Sequence, residues 1–363
     1  MNTPQALQAL GQSIWLDDVP RKLLANGRFA RYIVETAVTG LSSTAMHLER
    51  ALRDSGIYDE TIARKSLEGR RGERLFLELQ LEDLVRAADL LRRGFDASDG
   101  LDGWASLEVA PRLAHDAAQT IKEAAGLHAR AQRPNLLIKI PATAEGIAAL
   151  EWAVLAGIPV DATLLFSQRQ YLAAAEAYLR GLERRVRAGL EPRVASVASV
   201  SVGPLDDAVR DRVPPELRNR LGIAVAWQIY HAWCNLHASR RWRALAEAGA
   251  RPQRLLWTST TCRDPQARDI LYVEALAAAD TITTMTEATL LAFADHGRCG
   301  PLLARHGDDW LRSIADFRRL GLDTMALAER LQVEGTQVRA ELWRGVLESL
   351  VARGVDRMGM AAR

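Results

Sequence analysis

Leu136-Leu137-Ile138-Lys139-Ile140-Pro141-Ala142 is an apolar, largely aliphatic run with a single lysine at its centre and a proline near its end. Its length and composition read as a short buried strand. Outward from it, seven further short β-rich runs recur, at residues 13–17, 37–42, 105–109, 160–166, 196–202, 254–260 and 281–285. Between them lie stretches with apolar residues every three or four positions, at 114–130, 147–155, 168–188, 215–248 and 265–278, which read as amphipathic helices. Eight strand–helix units in a chain of 363 residues argue for an α/β fold of the (β/α)8 TIM-barrel type over an open sheet. Residues 57–93 read as extra helices inserted after the second strand, and 302–355 as a helical carboxyl-terminal tail packed outside the barrel. No Pro/Ser-rich linker interrupts the pattern, so residues 1–363 are expected to form a single domain.

Lys139 is one of four lysines, with Lys22, Lys65 and Lys122, among 47 Lys and Arg residues. In a chain that otherwise uses arginine, a lysine kept in a buried strand points to chemistry that needs an amine. An amine can lose its proton and attack a carbonyl, which a guanidinium cannot, and burial favours the uncharged form. That is the requirement for a Schiff-base nucleophile. The alternative is a strand-end lysine whose stem packs while its head reaches water or a carboxylate.

Composition narrows the class. With 48% apolar and 25% charged residues the chain can bury a full core. The formal net charge of +2 comes from interspersed Arg, Asp and Glu without a basic block, which gives no electrostatic case for a nucleic-acid partner. Cys234, Cys262 and Cys299 are odd in number and widely spaced, as expected of reduced thiols in a cytoplasmic protein. The first eleven residues lack an export pattern and no run of about 18 apolar residues occurs, so neither export nor a membrane partner is expected. His231, Cys234 and His237 stand at metal-like intervals, but i, i+3 and i+6 do not share a tight helical face, and no metal is expected there.

In such a barrel the chemistry belongs at the carboxyl ends of the strands. The polar residues there form one set: Asp17, Ser42 to Thr44, Glu108, Lys139, Asp161, Thr163, Ser199 and Ser259. Each alone could merely cap the next helix. A lysine facing carboxylates and hydroxyls inside one closed barrel points to a site.

Six segments then carry a family resemblance: Ser13-Ile14-Trp15-Leu16-Asp17-Asp18, Ser106-Leu107-Glu108-Val109-Ala110-Pro111-Arg112-Leu113-Ala114, Ile138-Lys139-Ile140-Pro141-Ala142-Thr143 with Glu145-Gly146, Ala162-Thr163-Leu164-Leu165-Phe166-Ser167, Leu271-Tyr272-Val273-Glu274, and Thr284-Met285-Thr286-Glu287 with Phe293-Ala294-Asp295-His296-Gly297. Together they make the chain resemble the transaldolases, in the longer form typical of actinobacteria and cyanobacteria. The resemblance implies carbohydrate chemistry of the pentose phosphate type with no metal or organic cofactor. Lys139 would form an imine with a ketose, Glu108 and Thr163 would position a proton-shuttling water, and Asp17 would take the proton of the hydroxyl beside the breaking bond. A three-carbon dihydroxyacetone unit would pass to an aldose. Expected partners are therefore a small sugar or sugar phosphate, with the chain a monomer or homodimer.

Departures from that family's pattern sit at the substrate contacts. Thr44, in Ser42-Ser43-Thr44-Ala45, and Asp161 each stand where an asparagine is usual, and Gly203-Pro204 stands where a phosphate-binding arginine is usual. Ser199 keeps its place after the sixth strand, and Ser259 with Arg263 matches the other half of the phosphate site. Altered sugar recognition on a retained catalytic core is the leading expectation. An ordinary pentose-phosphate transaldolase with a rearranged phosphate site, a class I aldolase that releases the three-carbon unit, and a non-catalytic sugar-binding relative remain as alternatives.

Overall fold

The structure is a computed structural model that describes residues 2–17, 20–44, 51–52, 56–305, 307 and 309–361. Asp18 and Ala45, within stretches quoted above, lie outside these. Eight parallel strands, β1 (Ser13–Asp17), β2 (Val38–Ser42), β3 (Trp104–Glu108), β4 (Leu136–Pro141), β5 (Val160–Leu165), β6 (Ser196–Ser201), β7 (Arg254–Thr258) and β8 (Ile282–Met285), close into a barrel in chain order. All eight runs expected from the sequence form. Where a strand hands over to its helix, a hydroxyl makes the turn: Thr143, Ser167 and Thr286 each accept a backbone N–H from the first turn of the helix that follows.

Alternation along the strands sorts the barrel interior into layers. Trp15, Trp104, Leu137, Val197, Leu256 and Ile282 form a buried apolar cluster of their own. Trp15 fills so much of the lumen that a Cβ on Gly40 would sit 2.4 Å from its indole, which is why β2 carries a glycine there. At the amino-terminal end Arg254 donates to Ser13 Oγ at 2.8 Å and pairs with Asp102 at 3.2 Å, closing the bottom with polar contacts. Further along the strands, towards their carboxyl ends, apolar side chains give way to Asp17, Ser42, Ser106, Glu108, Lys139 and Thr163. The register sets Glu108 beside Lys139, Lys139 beside Asp161, and Asp17 beside Ser42.

The inserted segment forms helices Asp59–Leu67 and Gly72–Ala97, the second burying Leu75, Phe76, Leu79, Leu84, Ala87, Ala88 and Leu91 at helical spacing. Two expected helices are broken. The stretch 215–248 splits into Leu221–His237 and Arg240–Glu247, because Ser239 turns its hydroxyl to the N–H of Trp242 and starts a new helix. Within 265–278 Leu271–Ala275 is helical; before it, Asp264 accepts from Gln266 N and Asn219 Nδ2, holding a turn instead of a helix.

The tail forms Asp309–Arg319 and a long helix, Thr324–Ala361. Leu331, Gly335, Val338, Arg339 and Leu342 of the long helix line the carboxyl-terminal mouth. Gln332 Nε2 donates to the carbonyls of Ala142 and Leu164 at 2.9 and 3.0 Å, and a Cβ on Gly335 would meet Leu164 at 2.8 Å, so the glycine lets the helix lie this close. Further along, Trp343 packs edge-on against Phe76 and donates to Glu73 at 3.2 Å. Among the described residues no helix is long and apolar enough to cross a membrane, and the three cysteines are free thiols.

Candidate active site

Asp17, Thr44, Glu108, Lys139, Thr163, Ser199, Ser259 and Arg263 line one cavity of about 390 Å³ at the carboxyl-terminal mouth, within the range of small-molecule sites. Eight of the nine residues given a catalytic or substrate-contact role from the sequence thus meet on its wall. The ninth, Asp161, is fully buried one layer below and reaches the same centre from beneath.

Lys139 is 3% exposed. Its amine donates to Ser42 Oγ at 2.6 Å, touches the carbonyl of Ser43 at 3.4 Å and stands 3.7 Å from Asp161 Oδ2. Asp161 in turn accepts Ser106 Oγ at 2.7 Å on one oxygen and Ser199 Oγ at 2.6 Å on the other. The buried carboxylate therefore has a hydroxyl on each oxygen and a cation close by, the conditions under which a buried charge is tolerated. Ser199, expected as a substrate contact, spends its hydroxyl hydrogen on Asp161.

At the rim, Ser259 adopts φ = 59°, a left-handed conformation that is costly for a residue with a Cβ and that recurs at functional loops. Its carbonyl accepts the N–H of Gly203 at 3.1 Å, fixing the loop after β6 against the loop after β7 and bringing Pro204 into the cavity wall. Arg263 is largely exposed and pairs with Asp207 at 3.3 Å.

Compared with known proteins, residues 14–350 match the family model described as Transaldolase/Fructose-6-phosphate aldolase. A protein of Thiobacillus denitrificans named Transaldolase is 41% identical over 345 residues, covering 93% of this chain and 96% of that protein. Transaldolases of Frankia alni and Thermobifida fusca are 37% and 38% identical, covering 99% and 96% of this chain and 99% and 97% of their own lengths. The chain belongs to the transaldolase/fructose-6-phosphate aldolase family. It is accordingly an enzyme of a transferase family, on the (β/α)8 barrel that the fold displays.

One residue of the cavity wall escaped the sequence reading. Arg339, on the long carboxyl-terminal helix, extends over the mouth; its Nη1 pairs with Glu108 Oε1 and its Nη2 lies 3.4 Å from Thr163 Oγ1. The available signal was a glycine inside a long helix, with Leu331, Gly335, Val338 and Leu342 recurring at helical spacing, which marks a close approach. The His231, Cys234 and His237 trio lies away from the cavity. Burial drives the His237 imidazole down to about 4, and the ring packs 4.3 Å from Trp233 and 4.7 Å from Trp242. Among the described residues no group of three or more His, Cys, Asp or Glu is arranged to hold a metal ion.

Proposed function

We propose that the chain transfers a three-carbon dihydroxyacetone unit from a ketose or ketose phosphate to an aldose through a Schiff base on Lys139, with sugar recognition altered at Thr44 and Pro204. The observation that carries this reading is the buried Lys139 amine opening onto a cavity whose wall also holds Asp17, Glu108 and Thr163.

The chemistry follows from those groups. The amine adds to the ketose carbonyl to give a carbinolamine, and Glu108 with a water held against Thr163 moves the protons that let hydroxide leave as water. The resulting iminium is the electron sink. Asp17 takes the proton of the hydroxyl two carbons from the iminium carbon; the bond between that carbon and the one beside the iminium breaks, its electron pair enters the iminium as an enamine, and the far fragment departs as an aldehyde. The enamine then adds to the aldehyde carbon of the acceptor, and hydrolysis of the new iminium returns the amine. Asp161, held by Ser106 and Ser199, is the anionic neighbour of that iminium.

The test is borohydride trapping with fructose 6-phosphate and with fructose, read by intact mass and peptide mapping. A reduced adduct on Lys139, absent from Lys139→Met, is the expected result; no adduct from either sugar moves the reading to a sugar-binding relative. The family description couples transfer with aldol cleavage, so free dihydroxyacetone is measured with and without an aldose. Release that no aldose suppresses identifies an aldolase.

A further inference from the structure

Three cations face the cavity among the described residues: Lys139, Arg263 and Arg339. The first is the proposed nucleophile. The second is 75% exposed and already paired with Asp207, a contact that solvent and salt weaken. The third is 21% exposed and sits over the reaction centre. Pro204, lining the same wall, supplies no charge.

We propose that Arg339 is the phosphate-recognition residue of the donor site, and that binding a sugar phosphate draws its guanidinium off Glu108. This rests on the donor reading given above and specifies its class: a phosphate monoester of a ketose, selected by a residue on the carboxyl-terminal helix.

Position comes first. The helix backbone that carries Arg339 is fixed by Gln332 on the Ala142 and Leu164 carbonyls and by Gly335 against Leu164, and beyond it by Trp343 on Glu73. The side chain is a long stem ending in five N–H donors, of which two face Glu108 and Thr163. Three remain for an incoming anion, and the head can re-aim without moving the helix.

Competition comes second. The guanidinium bridges Glu108 and Thr163, the pair between which the proposed water must sit, so imine formation requires it to leave. A phosphate monoester carries about −1.5 to −2 charge with three acceptor oxygens, and its bidentate pairing with Arg outcompetes a single carboxylate. Phosphate therefore gains a contact and frees the proton-shuttling pair in one movement. A sugar without phosphate leaves Glu108 clasped. Discrimination then acts on the rate of imine formation as well as on binding.

The test separates binding from chemistry. Calorimetry with inorganic phosphate and with fructose 6-phosphate is run on Lys139→Met, which forms no imine, and on the same protein carrying Arg339→Met or Glu108→Gln. Arg339→Met should weaken both anions by roughly 10- to 100-fold, the value of one charge-assisted contact. Glu108→Gln should tighten them several-fold, because Arg339 no longer has a carboxylate partner; a merely structural arginine predicts no gain. Arg339→Lys, which keeps the charge and loses the fork, should fall between. In the Lys139-containing enzyme, Arg339→Met should erase the preference for fructose 6-phosphate over fructose in trapping rate and raise the rate with fructose. Unchanged anion binding in Arg339→Met, no anion binding in its parent, or equal loss with both sugars would each overturn the proposal. Anion binding that depends on Arg339 in a protein that traps no sugar would sustain it while removing the Schiff-base reading.

Discussion

Lys139 and Asp161 form an ion pair with 3.7 Å between charges, inside a barrel that exposes 3% of one and none of the other. The pair is placed by register alone, since β4 and β5 set the two residues side by side. An asparagine there could hold Ser106 or Ser199 but would bring no charge. A carboxylate this close to a cation is worth about 4 kcal/mol at an effective dielectric near 20, and under the proposed mechanism the same field acts on the iminium that replaces the amine. Asp161→Asn should therefore lower the yield of borohydride-trapped adduct at a fixed sugar concentration by about tenfold or more, with the fold intact by circular dichroism. An unchanged yield with a reordered preference among ketoses would instead make Asp161 a sugar contact. At this scale most of the candidate site's geometry was legible. Asp17, Glu108, Lys139 and Thr163 lie at strand ends, where parity and barrel topology dictate that they converge. The two serines that hold Asp161 were not read as its partners, because Ser106 and Ser199 come from strands on either side of it and their bonds cross the lumen. Nothing in local spacing names those partners.

At the scale of elements, the strands were legible because each is a short apolar or β-branched run, and closure then fixes their order. Helix ends were less so, since Ser239 and Asp264 break a helical pattern through side-chain bonds to nearby backbone that compete with the helix. Asp206 shows the same competition buried. Its carboxylate accepts the N–H groups of Leu221 and Gly222, opening the helix Leu221–His237, and the hydroxyl of Tyr272 at 2.9 Å. Burial outweighs these donors and pushes it up to about 6. A native value above the unfolded one means the folded state takes up the proton more readily. The associated stability is complete below about pH 4 and is lost as pH rises through 6, a difference of up to about 3 kcal/mol. The stability of the natural chain minus that of Asp206→Asn, from urea unfolding, should therefore be larger at pH 4.5 than at pH 7.5. A flat or inverted difference would show that the amides and Tyr272 outweigh burial.

At the scale of the whole molecule, the helix Thr324–Ala361 crosses the carboxyl-terminal mouth of the barrel, over the candidate site. Its helical character was legible in the sequence, but which face it buries depends on Leu164 and Ala142, more than 150 residues away in the chain, so its place over the mouth was not. Leu331, Val338 and Leu342 present an apolar ceiling to a cavity whose floor is polar. Under the proposed mechanism that ceiling has a kinetic consequence. The enamine left on Lys139 has two fates: protonation from water, followed by hydrolysis to free dihydroxyacetone, or addition to an aldose. Excluding water favours the second. A chain ending at Asp323 loses the ceiling together with Gln332 and Arg339, while the barrel strands keep their pairing. Such a chain should form the Lys139 adduct with fructose and fructose 6-phosphate at similar rates and should release several-fold more dihydroxyacetone per transfer than the full chain at a fixed aldose concentration. Far-ultraviolet circular dichroism and a cooperative melt establish that the barrel survives the deletion. If the folded, shortened chain partitions between release and transfer as the full chain does, water is excluded by the barrel loops alone, and the helix serves recognition through Arg339 without governing the fate of the enamine.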